Sequence, residues 1–267
     1  MTPKPYDGCG VVKLGGGLIT RFDGCHPTVD RPLVVSHAQA IAASRIPTVV
    51  VHGTGAYGKP PAVLYGYLNG HLCEKEGDIV ARVALDLAKL ESDVIECLLE
   101  GGLRPLRVPA LTLFRGDGRG GVVQLDFVVV ADLLANGITQ VIGGNFVIDC
   151  EGFAVCSSDL IAVDLAIDLN ASVLVLATNA PGVYREFGRS EAIFDALSAQ
   201  DGKTLASLSD ATNDVSGGIA SKIRNGFRAA ERGIPTFVID GRFPSILSAA
   251  LQGRPPSGTR LLCGRST

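Results

Sequence analysis

Residues 47–58 read PTVVVHGTGAYG, a run of β-branched residues that ends in a glycine-rich loop. Such a run predicts a strand buried on both faces, as in a parallel sheet. Residues 11–17, VVKLGGG, repeat the arrangement with a lysine near the end of the apolar run. Because ligands of parallel sheets bind beyond the carboxyl ends of the strands, both glycine loops are predicted to lie at a binding edge.

The rest of the chain alternates between strand-like and helix-like apolar patterns. We predict helices at residues 33–43, 78–99, 128–135, 159–169, 217–232 and 244–251, and further strands at residues 106–108, 139–142, 146–148, 173–177, 236–239 and 259–262. Ser157 and Ser158 are candidate caps for the fourth helix. Strands separated by helices form βαβ units, so the predicted fold class is α/β with a mainly parallel central sheet covered on both faces.

Composition narrows the class of protein. The chain has 267 residues, 46% of them apolar, which suits one large α/β unit or two lobes that share a sheet. A net charge of −3 without runs of Lys or Arg argues against nucleic-acid and membrane-surface partners. Seven cysteines with no C-x-x-C pair predict free thiols in a reducing cytoplasm, and the N-terminus shows no secretory signal.

Two familiar nucleotide-binding signatures are present but incomplete. Residues Gly53, Gly55 and Gly58 match the dinucleotide fingerprint after a strand, but two prolines follow at once and the expected acidic residue is missing. Residues 202–204, GKT, resemble the end of a P-loop, but Leu197 occupies the position of its first glycine. Neither a nicotinamide site nor a P-loop is therefore predicted.

Four separated pieces point instead to phosphoryl chemistry. Lys13 beside the bare amides of Gly15–Gly17, and the loop at 53–58, can hold phosphoryl oxygens. Asp159 falls in the first turn of a predicted helix, where an acid would also complement the helix dipole. Residues 214–222, DVSGGIASK, place Ser216 as a cap, glycines beside it, and Lys222 in the second turn leaning back toward that end.

Each piece also has an ordinary structural explanation, a tight turn or a solvated helix lysine, but together they match one reaction. Phosphoryl transfer needs cations and amides around the equatorial oxygens and little covalent chemistry from the protein. Two lysines, two glycine loops and a carboxylate that orients the lysines would supply this. Neither Lys13 nor Lys222 is expected in the core.

The order of these motifs resembles the amino acid kinase family, with the isopentenyl phosphate kinases and fosfomycin-resistance kinases as its most similar branch. The resemblance rests on K-x-G-G-G at 13–17, V-H-G-x-G-x-Y-G at 51–58, S-S-D at 157–159, T-x-x-P-G-V-Y at 178–184, D-V-S-G-G-x-x-x-K at 214–222, Leu18–Arg21 and Gly258–Arg260. It implies an open αβα sandwich of two lobes, with residues 1–155 binding the phosphoryl acceptor and residues 156–267 binding ATP. It also implies Mg²⁺ carried by ATP rather than by protein ligands, and a homodimer or larger homo-oligomer.

The resemblance assigns roles by position. Lys13 and Lys222 would contact the transferring phosphoryl group, and Asp159 would orient them. The acceptor's anionic end would be held by Gly53, Thr54 and Gly55. To these we add Gly16, from the first glycine loop, and Lys59, whose positive charge directly after the second loop favours an anionic acceptor. The nucleotide would be lined by Thr178, Gly182, Tyr184, Ser216, Gly217 and Gly218.

Several positions depart from the isopentenyl phosphate kinase pattern. Lys59 replaces a histidine, Phe22 a lysine, Gly17 a serine or threonine, and Gly144 and Asn179 each an aspartate. The preferred acceptor is therefore a phosphate monoester or phosphonate of unspecified identity, with Leu64, Tyr65 and Leu68 lining a tail pocket or packing in the core. The alternatives are a carboxylate or carbamate kinase of the same family, and a non-catalytic nucleotide-binding regulator.

Overall fold

An eight-stranded sheet forms the centre of the computed structural model, which describes residues 8–66, 71–73, 76–118, 121–185, 192–198 and 218–263. In spatial order its strands are β13 (Ala196–Leu197), β15 (Thr259–Leu261), β14 (Thr236–Asp240), β12 (Val173–Thr178), β1 (Gly10–Leu14), β4 (Thr48–His52), β9 (Thr139–Gly143) and β6 (Pro105–Arg107). All neighbours are parallel except β14 and β15. The predicted α/β class with a mainly parallel sheet is confirmed.

Helices cover both faces of this sheet. One face carries α2 (Arg31–Ser44), α4 (Gly77–Glu100) and α8 (Pro244–Leu251), and the other carries α5 (Val128–Ala135), α6 (Ser158–Asp168) and α7 (Gly218–Glu231). The strands feed the two cores alternately: Val11 packs on the α6 side and Val12 on the α2 side. The predicted αβα sandwich is thus confirmed.

Local sequence signals explain where the helices begin. Ser157 caps α6 by accepting a hydrogen bond from the N–H of Leu160 at 3.2 Å, as predicted. Asp30 caps α2 in the same way through Leu33, and that helix ends at Arg45 in the left-handed region.

Smaller elements surround the carboxyl edge of the sheet. They are the one-turn helix α1 (Gly16–Ile19), the hairpin of β2 (Thr20–Phe22) and β3 (Pro27–Val29), the short helix α3 (Lys59–Leu64), a three-stranded sheet of β10 (Asn145–Asp149), β11 (Gly152–Cys156) and β5 (His71–Cys73), and the hairpin of β7 (Phe114–Gly116) and β8 (Val122–Gln124). The segments at 16–29 and 59–64 were not predicted from the sequence.

The two predicted lobes contribute to one continuous sheet. The segment before residue 156 supplies β1, β4, β6 and β9, the segment after it supplies β12 to β15, and the β1–β12 pairing joins them. A boundary at 155/156 stays a prediction. Among the helices that the structure describes, none is both long and apolar enough to cross a bilayer. The six cysteines with described side chains are all unpaired.

Candidate active site

The two glycine loops pack backbone against backbone at the carboxyl edge of the sheet. They follow β1 and β4, which are paired with Leu14 opposite His52. A Cβ atom on Gly16 would lie 2.2 Å from the nitrogen of Gly55, and one on Gly53 would lie 2.5 Å from the nitrogen of Gly16. Only glycine fits at these positions, so the two loops form one composite surface.

Thr20 links the same two loops through its hydroxyl group. Its Oγ1 donates to the carbonyl of Gly16 at 2.7 Å and accepts from the N–H of Ala56 at 2.8 Å. Gly55, between them, has a φ of +47° and no room for a side chain beside Thr20. Sequence reasoning missed this residue, because no local pattern pairs a threonine with an amide so distant in the chain.

Part of the second loop remains available to a ligand. Its engaged amides are those of Gly53, which donates to Leu14, of Ala56, which donates to Thr20, and of Tyr57 and Gly58, which donate within the loop. Within the described residues, the N–H groups of Thr54 and Gly55 have no acceptor. The anion-holding capacity predicted for the whole loop therefore narrows to these two amides.

A buried cluster of Lys13, Asp159 and Lys222 lies beside the loops. Lys13 comes from the end of β1, Asp159 from the first turn of α6, and Lys222 from the second turn of α7. The Oδ1 atom of Asp159 is 2.9 Å from Nζ of Lys13 and 2.7 Å from Nζ of Lys222. Their exposed fractions are 4%, 5% and 8%. The structure thus brings together all three predicted catalytic residues, but the expectation that the lysines lie outside the core is wrong, because a shared carboxylate permits their burial.

Burial and charge set the protonation of this cluster. Burial lowers the pKa of Lys13 to about 8, the nearby Lys222 charge acting in the same direction and Asp159 opposing both. For Asp159, burial alone would raise the pKa, but the charges of the two lysines outweigh it and hold the pKa well below its usual range. With both lysines protonated, two positive charges and one negative charge leave the cluster with a net charge of +1.

His52 supports the second loop from the other face of the sheet. Its Nδ1 donates to the carbonyl of Gly53 at 3.3 Å, and its buried Nε2 has no partner among the described residues. Burial lowers the pKa of His52 to about 4, and the nearby charge of Lys13 acts in the same direction. His52 is therefore neutral near pH 7 and shapes the loop rather than carrying a proton; sequence reasoning had assigned it no role.

Of the predicted nucleotide-binding residues, Thr178 lies one strand away from Lys13, and Gly182 and Tyr184 follow it in the next loop. Thr178 ends β12, and its hydroxyl shapes the following turn by donating to the carbonyl of Ala180 at 3.0 Å. Gly182 packs against Thr259, whose Oγ1 would lie 2.7 Å from a Cβ there, and Tyr184 forms a bridge to Ile193.

The predicted segment 214–222 is described only in part. Gly218 begins α7, the helix that carries Lys222, whereas Ser216 and Gly217 lie outside the described residues.

Lys59 and the apolar series after it lie on the surface. Lys59 occupies the first position of α3 and is exposed, two residues beyond Tyr57. Leu64 is 74% exposed and Tyr65 is 37% exposed, which contradicts ordinary core packing for both. Leu68 lies outside the described residues. A tail pocket along this helix stays a prediction.

Comparison with known proteins identifies the family of the chain. The sequence profile of the amino acid kinase family matches residues 9–240. The chain is 30% identical to the isopentenyl phosphate kinase of Methanothermobacter thermautotrophicus over 94% of this chain and 98% of that protein. It is 26% identical to the isopentenyl phosphate kinase of Thermoplasma acidophilum, covering 88% and 92%, and 26% identical to an acetylglutamate kinase of Synechococcus, covering 96% and 88%. A crystal structure of isopentenyl phosphate kinase superposes with a TM-score of 0.79 at 25% identity, over 94% of this chain and 99% of that one.

Proposed function

This chain belongs to the amino acid kinase family, and on that premise we propose that it transfers the γ-phosphoryl group of ATP to the phosphate of a small monoester. It is an ATP-dependent small-molecule kinase, as its kinase relatives and family imply. The finer choice of a phosphate monoester rests on the two isopentenyl phosphate kinases, which are similar over most of the chain.

The observation that carries the proposal is the Lys13–Asp159–Lys222 cluster. Two ammonium groups meet on one carboxylate oxygen, directly beside the glycine loops at the carboxyl edge of the sheet. Charge that develops on the equatorial oxygens during transfer would be met by fixed positive charge in a site with little water. Asp159 fixes the positions of both lysines, so that little reorganisation is needed when the reaction occurs.

Donor and acceptor take opposite sides of this cluster. The acceptor phosphate binds the free amides of Thr54 and Gly55 and the backbone at Gly16, with Lys59 at the rim. The nucleotide lies on the β12 side, toward Thr178 and the start of α7. Because β1 lies between the acceptor side, at β4, and the nucleotide side, at β12, this arrangement supports in-line transfer across the end of β1.

Mg²⁺ fits the site as an ion carried by the nucleotide phosphates. Within the described residues no group of three His, Cys, Asp or Glu side chains could hold a metal ion. Mg²⁺ commonly keeps several waters and binds through substrate phosphates with one or two carboxylates at most. Its contribution would be to neutralise triphosphate charge, while the protein's lysines act on the transferred group.

The chain is also proposed to work in a reducing cytoplasm and as a homodimer or larger assembly. The unpaired state of the described cysteines supports the compartment. The oligomeric state rests on family analogy, and sedimentation analysis of the purified chain would test it.

A screen of ATP consumption against acceptors tests the function. The panel contains prenyl phosphates with isopentenyl phosphate first, phosphonates, and amino acids including N-acetylglutamate. We expect turnover with phosphate monoesters, and loss of it in a folded Lys222→Ala variant. Turnover confined to the carboxylates would favour the alternative raised by the acetylglutamate kinase similarity. ATP binding without turnover on any acceptor would favour a regulatory protein.

A further inference from the structure

A tight turn at residues 240–243 lies at the same sheet edge as the cluster. It follows β14, and the N–H of Gly241 donates to the carbonyl of Thr178 at 2.7 Å. On the other side, Nε2 of the buried His37 donates to the carbonyl of Gly241 at 2.7 Å. A Cβ on Gly241 would lie 2.2 Å from a methyl carbon of Leu18. The turn is therefore fixed from both sides beside the predicted nucleotide-binding residue Thr178.

Arg242 projects from this turn and is held by a buried carboxylate. Its Nε and Nη2 atoms donate to the two oxygens of Asp240 at 2.8 and 2.6 Å, and its backbone N–H donates to the same group at 3.0 Å. Asp240 is buried, yet 55% of the Arg242 side chain is exposed. Within the described residues, Nη1 has no acceptor, so an immobilised guanidinium presents a free edge to solvent.

Strand order and register relate Lys13 to Asp240, the residue that holds Arg242. Lys13, Thr178 and Asp240 come from β1, β12 and β14, three consecutive strands. Val11, Leu176 and Val238, two residues before each, pack in one core, so all three side chains share that face. Lys13 pairs with Leu176 and Leu176 with Val238, so Asp240 lies two strand spacings, about 10 Å, across the sheet and two residues, about 7 Å, farther along it. Arg242 lies on the side of β1 away from β4 and its loop, and near enough to Tyr184 for an electrostatic interaction.

We infer that Arg242 binds the non-transferred phosphates of the nucleotide and keeps this contact with ADP after transfer. If the γ-phosphate of the nucleotide is held at Lys13, the other phosphates extend across the end of β12 toward β14, where Nη1 of Arg242 has no acceptor among the described residues. A pre-organised arginine fork suits phosphate oxygens and loses little freedom on binding. This inference rests on the proposed kinase function and adds a residue that the family motifs did not single out.

Direct binding measurements test the contact. ADP–Mg²⁺ is titrated by calorimetry into the wild type, Arg242→Ala, Arg242→Lys and the control Arg254→Ala, whose exposed arginine is bonded to Gln252. Adenosine is titrated in parallel by ligand-observed NMR. We expect Arg242→Ala to weaken ADP binding about tenfold or more, with adenosine unchanged, because a charge-assisted contact is lost. Arg242→Lys should lose part of the affinity for ADP, and Arg254→Ala should lose none of it.

The possible outcomes distinguish a failure of the Arg242 inference from a failure of the proposed kinase function. The role of Arg242 alone would be overturned if folded Arg242→Ala and Arg242→Lys bound ADP as tightly as the wild type. It would also be overturned if the affinity for adenosine fell as much as the affinity for ADP. A folded wild type that binds no nucleotide would overturn the kinase proposal together with it. Arg242→Lys is included because it keeps a positive charge beside the buried Asp240, whereas Arg242→Ala leaves that carboxylate without its partner. In steady-state kinetics the ATP KM should rise about tenfold, with acceptor KM unchanged and kcat within about threefold.

Discussion

Replacing Asp159 with asparagine removes the carboxylate charge that, among the described residues, joins two buried lysines. Both ammonium groups bond to the same oxygen, at 2.9 and 2.7 Å, and each is more than nine-tenths buried. Asparagine keeps the shape of the side chain but not the charge, so Lys13 and Lys222 would repel each other without the carboxylate between them. The change therefore tests stability and catalysis at the same place.

The expected magnitudes follow from burial. Removing one partner of a buried ion pair costs about 3–5 kcal/mol. Lys13, whose pKa is already lowered to about 8, can release its proton, which keeps the cost near the lower end of that range. For a chain of this size, about 3 kcal/mol lowers the melting temperature by roughly 6–12 °C. Loss of lysine positioning should reduce kcat by about 10²–10³-fold.

Asp164→Asn provides a matched control on the same pair of helices. Asp164 is also buried on α6, and its Oδ1 is 2.6 Å from Nη2 of Arg228 on α7. We expect this control to lose stability with kcat within about threefold of wild type at a temperature where the protein is folded. The measurements are thermal unfolding by circular dichroism and the phosphoryl-transfer rate. Equal kcat in both variants would refute the assignment of Asp159 to the active site.

Four further outcomes are expected. The value of kcat/KM should fall as pH rises through about 8, because Lys13 then loses its proton. In Lys13→Arg, this decrease in kcat/KM should occur at higher pH. A wild-type kcat/KM that stays constant to pH 10 would contradict this. Between pH 8 and the ordinary value of 10.5, the unfolded chain binds the Lys13 proton more tightly than the native chain, so denaturant titrations should show this group's contribution to stability rising with pH. Lys59→Ala should raise the acceptor KM about tenfold or more and lower kcat less, since one ion contact is worth on the order of 1–3 kcal/mol; unchanged kinetics would leave Lys59 as a surface lysine. Millimolar ATP–Mg²⁺ should raise the melting temperature, and no shift in a folded sample would count heavily against the kinase proposal.

Periodicity predicted the large elements of the fold well. The helix expected at 78–99 spans Gly77–Glu100, and the one expected at 217–232 is described as Gly218–Glu231. Helices this long repeat their apolar pattern over several turns. The β2–β3 hairpin and α3 have only three to six residues each, too few for a period to emerge. The start of α3 is compatible with Pro60 and Pro61, because proline is tolerated in the first turn of a helix.

The grouping of the three charged residues was predictable from the sequence, but their burial was not. Lysines, glycines and an acid in a familiar order identified Lys13, Asp159 and Lys222 as a set. Their burial arises from α6 and α7 converging on the end of β1, a tertiary arrangement that residue order alone does not encode. Thr20 was missed for the same reason, because the fold and not the neighbouring sequence places the N–H of Ala56 beside it. Arg242 has its partner Asp240 two residues away, but the sequence does not show that their turn lies beside Thr178.

The contact between Gly16 and Gly55 also constrains how this enzyme can be re-engineered. Because the two backbones touch, a side chain added at Gly16, Gly53 or Gly55 would displace the facing loop, together with the end of β1 that carries Lys13. Directed evolution toward new acceptors should therefore accumulate substitutions from Lys59 onward, along the exposed face of α3, and leave Gly16, Gly53 and Gly55 untouched.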